Sequence, residues 1–137
     1  MNDTKEWLSR GRRIEQEIEA LESARRETYD RLTRMVVATD GVRAKGTKDP
    51  HAFDAYAAFE NQINRRVEKL VSIKTEIVSA VNKVKDARYR TLLIDRYVRG
   101  MTWEQIAVEM HYSYYHVVSE LHPAALKAVE PFVKKQK

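Results

Sequence analysis

Residues 91–129 read TLLIDRYVRGMTWEQIAVEMHYSYYHVVSELHPAALKAV. Apolar residues recur here at helical spacing, and the pattern breaks at Gly100 and again at residues 111–113. Gly100 can end a helix in the left-handed conformation, and Thr102 with Gln105 forms a capping-box pair that opens the next helix. This stretch therefore predicts three helices joined by tight turns, in the order of a helix-turn-helix.

The last of these helices, which Ser113 is expected to cap, has two different faces. Val117, Leu121 and Ala124 fall on one side and are predicted to lie in the core. The other side offers groups that can bond to base edges or touch a thymine methyl, so we predict that it faces DNA. The predicted base-facing residues are Tyr114, Tyr115, Val118, Ser119 and His122.

Four further residues are predicted to contact phosphates, namely Thr102, Trp103, Ser113 and Lys127. Trp103 is also expected to pack, with its indole N–H turned toward a phosphate. The net charge of +5 favours a polyanionic partner, although only mildly. Pro123 lacks an N–H about ten residues into the last helix, where a kink is expected.

Two longer helices are predicted before this C-terminal part. The first runs from Thr4 to about Ala38, a loop follows over residues 39–49, and Asp49 with Pro50 begins the second helix. Heptad spacing along the second helix predicts a helical hairpin or a coiled coil, although the same residues could pair between two chains and cause self-association. These heptad residues are Tyr56, Ile63, Leu70, Ile77 and Val84. The expected organisation is an all-α protein with a helical scaffold over residues 1–84 and a helix-turn-helix domain over residues 85–137.

Several classes of protein are not expected. The chain has no cysteine, no apolar run near the roughly 20 residues that span a bilayer, and no apolar block at its start, so we predict a cytoplasmic protein without a membrane partner. His111, His116 and His122 do not have zinc-binding spacing, and residues 41–48 lack the Gly-Lys-Ser/Thr order of a nucleotide loop. No enzyme, cofactor, metal or small-molecule substrate is expected. Arg43, Lys45 and Lys48 are instead candidates for contact with a DNA backbone.

The C-terminal stretch resembles the ArpU/RinA-type phage transcriptional regulators, whose C-terminal part is similar to region 4 of sigma factors. The two long helices match that family only generically. The resemblance implies a sequence-specific DNA-binding regulator that activates late phage genes for packaging and lysis in a Gram-positive bacterial host, by recruiting or assisting RNA polymerase. It is carried by Leu93, Arg96, Tyr97, Gly100, Trp103, Glu104, Ile106, Ala107, Met110, Tyr112, Ser113, Val117, Leu121, His122, Ala125 and Leu126.

The same resemblance assigns base reading to Tyr114, Tyr115, Val118 and Ser119. Sigma-like helices often carry Arg, Lys, Glu or Gln at these places, whereas this chain has no arginine placed for bidentate contact with guanine. Two alternatives to a regulator remain open. One is a helical adaptor or structural protein that binds a protein through its tyrosine-rich face, and the other is a DNA-recognising component of phage packaging.

Overall fold

The computed structural model describes residues 2–40 and 51–133, and over these residues it contains helices and no strand. The all-α prediction is therefore confirmed. No helix in these two ranges combines the length and the apolar character needed to cross a membrane. The helices are α1 (Asn2–Asp40), α2 (Ala52–Val81), α3 (Ala87–Leu93, continued by a π-helical turn at Ile94–Val98), α4 (Trp103–Met110) and α5 (residues 114–129), followed by a 3₁₀ turn at Glu130–Phe132.

The α5 helix is continuous but not uniform. It begins as Tyr114–His116, widens into a π-helical turn at Val117–Leu121, and continues as His122–Val129. Pro123 explains the wide turn, because it has no N–H for the carbonyl four residues earlier and its ring would collide with that carbonyl. The proline thus changes the pitch of the helix and does not end it.

The contacts divide the chain into two compact units, one of which is Glu17–Leu70. In this unit α1 and α2 run antiparallel, since Arg66 donates to Glu17 at 2.7 and 3.1 Å and Arg25 donates to Asn64 Oδ1 at 2.8 Å. The predicted heptad residues Ile63 and Leu70 are buried. The apolar seams therefore pair within one chain, as the hairpin prediction required.

The other unit comprises Met1–Gln16 and Val71–Lys137. The beginning of α1 and the end of α2 pack with the three C-terminal helices around one apolar core, so this grouping differs from the predicted split between residues 84 and 85. Core residues come from all five helices and include Leu8, Ile77, Val81, Leu92, Leu93, Tyr97, Ile106, Val117, Leu121, Ala125 and Val129.

Several predicted boundaries shift by a few residues. The α1 helix includes Thr39 and Asp40, which were predicted to belong to the loop, and the sequence has no Gly or Pro between Gly11 and Gly41 to end it earlier. The α2 helix ends at Val81, yet Val84 remains buried after a short turn. The rest of the predicted loop, its basic residues and the predicted helix start at Asp49 lie outside the described residues.

A glycine sets the distance between α1 and α3. A Cβ added at Gly11 would lie less than 3.0 Å from the carbonyl oxygen of Tyr97 and 3.1 Å from Cδ1 of Ile77. Only a residue without a side chain allows the α1 backbone to come this close. Thr4, Leu8 and Gly11 share the face of α1 that is buried here, at the spacing of one helical stripe.

Candidate nucleic-acid interface

The start of α4 is fixed by the predicted capping box. The Thr102 hydroxyl accepts from the Gln105 backbone N–H at 3.1 Å, and Gln105 Oε1 accepts from the Thr102 N–H at 2.9 Å. Just before it, Gly100 has φ +77, the left-handed conformation expected at the end of α3. Ile106 and Ala107 point into the core, so the position and rotation of α4 are well determined.

A short turn joins α4 to α5. His111 adopts the left-handed conformation (φ 63) and donates its N–H to the Val108 carbonyl at 3.2 Å, while the Tyr112 N–H reaches the Ala107 carbonyl at 3.1 Å. These two bonds satisfy carbonyls that the end of α4 would otherwise leave unpaired. Ser113 then caps α5, because its hydroxyl accepts from the His116 N–H at 3.0 Å.

The first turns of α5 present a polar and aromatic face to solvent. Tyr115 is 71% exposed and Tyr114 is 50% exposed, Ser119 is exposed, and Val118 is half-buried. On the opposite side Val117 anchors the helix in the core. The structure thus brings together four of the five predicted base-facing residues on an accessible surface of a well-anchored helix.

His122 is the exception, and its predicted position on this face is wrong. Its side chain is only 7% exposed and lies in the interior. In a regular α-helix, Ser119 and His122 would lie on the same face as Tyr115, four and seven residues after it. The π-helical turn at Val117–Leu121 breaks this spacing, because such a turn contains more residues than an α-helical turn. One additional residue rotates everything after it by roughly 100°. For the same reason, Ala125 is buried. Ala124, which was predicted to lie in the core, is only half-buried.

In the interior His122 belongs to an aromatic cluster. Its Nε2 is 2.7 Å from the Tyr97 hydroxyl, and its ring centroid is 4.4 Å from that of Trp103. Burial lowers the pKa of His122 to about 4, and the nearby charges of Lys5 and Arg96 act in the same direction. His122 is therefore neutral at pH 7. Burial likewise raises the pKa of Tyr97 to about 12, so the phenol keeps its proton.

Trp103 lies on α4 and packs against side chains of both α3 and α5. The Arg96 guanidinium of α3 lies 4.2 Å from the centre of the Trp103 ring, and the His122 ring of α5 contacts it from another direction. Trp103 is half-buried by these contacts. Its main role in the structure is to hold α3, α4 and α5 together.

The other predicted phosphate contacts remain accessible. Thr102, Ser113 and Lys127 are all exposed. The hydroxyls of Thr102 and Ser113 accept cap bonds, which leaves each O–H free to act as a donor toward an anion. In the described part of the chain Lys127 makes no ion pair with a carboxylate. Thr102 lies at the start of α4, Ser113 at the start of α5, and Lys127 on the last turns of α5.

The sequence analysis missed the contribution of α1 to this unit. Leu8 is fully buried and Trp7 is partly buried against the core, with the Arg10 guanidinium 4.8 Å from the Trp7 ring centre. The available signal was the spacing of Thr4, Leu8 and Gly11. A glycine on a helical stripe does not look apolar, so that stripe was not recognised.

Among the described residues no three His, Asp or Glu side chains are grouped as metal ligands. The candidate interface is characterised by its exposed tyrosines and its capped helix ends. No protein-family model, no curated protein and no solved structure matches the chain.

Proposed function

We propose that this protein is a sequence-specific DNA-binding regulator of transcription. The observation that carries the proposal is the α4–turn–α5 arrangement, in which a well-anchored second helix exposes the side chains of its first turns. A helix presented in this way fits the major groove of a DNA duplex, where base edges can be read. Tyr115 and Ser119 supply hydroxyl groups for such contacts, and Val118 supplies a methyl surface.

The exposed face shapes the expected mode of binding. It carries no arginine or lysine over residues 114–119, so recognition would depend on hydroxyl and apolar contacts rather than on bidentate bonds to guanine. Affinity from charge must then come from neighbouring cations, of which Lys127 on α5 is one. We expect a moderate affinity per site that depends strongly on salt.

The finer role rests on the sequence resemblance to the ArpU/RinA-type regulators. We infer activation of late phage genes, with host RNA polymerase as a second partner, in the cytoplasm of a bacterial host. Self-association would join two DNA-binding units and raise the avidity for paired sites. Light scattering at micromolar concentration tests this, and a monomer would contradict self-association.

Selection of fragments from random duplex DNA, at two salt concentrations, tests the main proposal. We expect an enriched sequence. The absence of any enrichment would refute a regulator that reads DNA.

Two variants connect the enriched sequence to the interface. Tyr115→Ala should relax the base preference at one position and weaken the free energy of binding to the preferred site by about 1–3 kcal/mol. Tyr115→Phe removes the hydroxyl alone and so shows how much of this loss is due to the hydroxyl and how much to the ring. Lys127→Ala should weaken binding to all duplexes and lower the salt slope by about 1, whereas the matched change Lys69→Ala on α2 should leave both unchanged.

A protein-binding adaptor is the second candidate, and the exposure of Tyr114 and Tyr115 favours it. Exposed tyrosines are frequent anchors at protein interfaces. This candidate predicts that Tyr115→Ala abolishes partner binding while duplex DNA shows no enrichment. The selection experiment therefore separates the two functions.

A further inference from the structure

A concave pocket of about 250 Å³ lies where the beginning of α1 meets the end of α3. Its wall contains four cationic side chains, and the other lining residues are uncharged. Lys5, Arg12 and Arg13 come from α1, and Arg96 comes from α3. We call these four residues and the space between them the cationic pocket.

Four other cations on these helices have a carboxylate partner, namely Arg10, Arg25, Arg88 and Arg99. None of the four pocket cations lies within ion-pair distance of a carboxylate among the described residues, although the charge of Glu104 partly offsets that of Arg96. The ion pairs of the same unit involve other residues, namely Arg10 with Glu76, Lys74 with Glu15, Arg88 with Asp86, and Arg99 with Asp95 and Glu109.

Two of the guanidinium groups are held in place by the backbone. Arg12 donates to the Gly100 carbonyl at 3.4 Å, and Arg96 donates to the Met101 carbonyl at 3.1 Å. Arg12 Nε is buried and has no hydrogen-bond partner. Burial lowers the pKa of Arg96, and the charge of Arg12 lowers it further. Two like charges are thus fixed close together with unused donors, which is unfavourable unless an anion joins them.

The pocket lies near the exposed start of α5. Arg96 stacks on Trp103 at 4.2 Å and also interacts electrostatically with Tyr114 on the first turn of α5. Lys5 is close enough to influence His122. A duplex that contacts Tyr114 would therefore bring its backbone toward the pocket.

We propose that the cationic pocket binds a phosphate group and that, when α5 engages DNA, this group is a phosphate of the duplex backbone. Arginine favours phosphate because its planar set of N–H donors matches two oxygens at once, and the charges of Lys5 and Arg13 add attraction. The DNA source of the phosphate rests on the proposed function. It makes the beginning of α1 part of the DNA interface, in addition to the helix-turn-helix.

The first test measures duplex affinity as a function of salt, using the sequence enriched by selection. The double variant Lys5→Gln/Arg13→Gln changes two exposed side chains without hydrogen bonds among the described residues, so folding should be preserved. We expect roughly tenfold weaker binding, as for the loss of hydrogen bonds to a charged group. The slope of log K against log salt concentration should decrease in magnitude by about 0.9, because one contact with a DNA phosphate is lost.

Arg12→Gln should have a similar effect, and circular dichroism will show whether it remains folded. The matched control is Arg31→Gln/Arg34→Gln, which removes two exposed cations from α1 in the other unit and should change neither affinity nor slope. If the enriched duplex binds the Lys5→Gln/Arg13→Gln protein as tightly and with the same slope as the parent, the pocket proposal is overturned while the proposed function stands.

A second test uses inorganic phosphate at constant ionic strength and follows the Arg12 Nε–H signal by NMR. We expect a saturable shift that is lost in Lys5→Gln/Arg13→Gln. A saturable shift without sequence-specific DNA binding would keep the phosphate site and overturn both the DNA source and the proposed function. No shift and no duplex binding would overturn both proposals.

Discussion

Replacing Gly11 with alanine tests whether α1 and α3 are in backbone contact. In an exposed helix interior this change is stabilising by about 1 kcal/mol, because glycine is a poor helix former. Here the new Cβ would lie less than 3.0 Å from the Tyr97 carbonyl oxygen. That oxygen belongs to a helix backbone, so it cannot rotate away as a flexible side chain would.

The steric cost should exceed the gain in helix propensity. Inserting a methyl group into a packed site typically costs about 1–3 kcal/mol, and a clash with backbone belongs at the upper end. The second close atom, Ile77 Cδ1 at 3.1 Å, must also move. We therefore expect Gly11→Ala to destabilise the protein by about 1–2 kcal/mol. If α1 shifts, Arg12 also moves relative to Arg96 and the cationic pocket is distorted.

Urea unfolding followed by circular dichroism measures this change, with the midpoint and the slope fitted separately. Ala20→Gly, at an exposed position of the same helix, provides the control for helix propensity and should cost about 1 kcal/mol. A Gly11→Ala protein that is about 1 kcal/mol more stable than the parent would show that α1 does not pass close to α3.

Three further changes test the helix-turn-helix. Because the folded pKa of His122 is about 4 and its ordinary value is 6.5, the unfolded state binds more protons between these values, so stability should fall as pH drops from 6.5 toward 4. Urea unfolding measures how much the free energy of unfolding falls between pH 7 and pH 5. This fall should be about 2 kcal/mol smaller in His122→Gln than in the parent, and equal falls in the two proteins would contradict a buried neutral His122. Thr102→Ala removes the capping box and should cost about 1 kcal/mol in the same assay, so an unchanged midpoint would mean that the cap does not stabilise α4. His111→Gly relieves the left-handed backbone and should raise the free energy of unfolding by up to about 1 kcal/mol in the same assay, so a destabilised variant would contradict strain at this residue.

Local sequence signals predicted much of this fold. Apolar residues recur at helical spacing in residues 91–110, and Leu92, Leu93, Tyr97, Ile106 and Ala107 indeed form the buried faces of α3 and α4. Capping by Thr102 and Ser113 was correct because a cap depends on residues only two or three positions away. Helix ends in the scaffold were less accurate, since the heptad pattern continues past the last hydrogen-bonded turn of α2.

The face predicted to be accessible at the start of α5 agrees with the structure up to Ser119, but His122 is buried. A face prediction assumes a constant 3.6 residues per turn, and the wide turn before Pro123 breaks that assumption. The proline was visible in the sequence. Whether it would kink the helix or widen one turn depended on how Val117, Leu121 and Val129 pack against α3 and α4.

By itself, the sequence determined the helices, their caps and the exposed tyrosines at the start of α5, because each depends on the periodicity and chemistry of neighbouring residues. Only the tertiary structure decided that α1 closes against α3 at Gly11, that His122 turns inward, and that Lys5, Arg12 and Arg13 meet Arg96. The first and the last of these features join residues more than 80 positions apart in the chain, and His122 meets Tyr97 across 25 positions. Helical periodicity records which face of a helix is buried, but it carries no information about which distant helix covers that face.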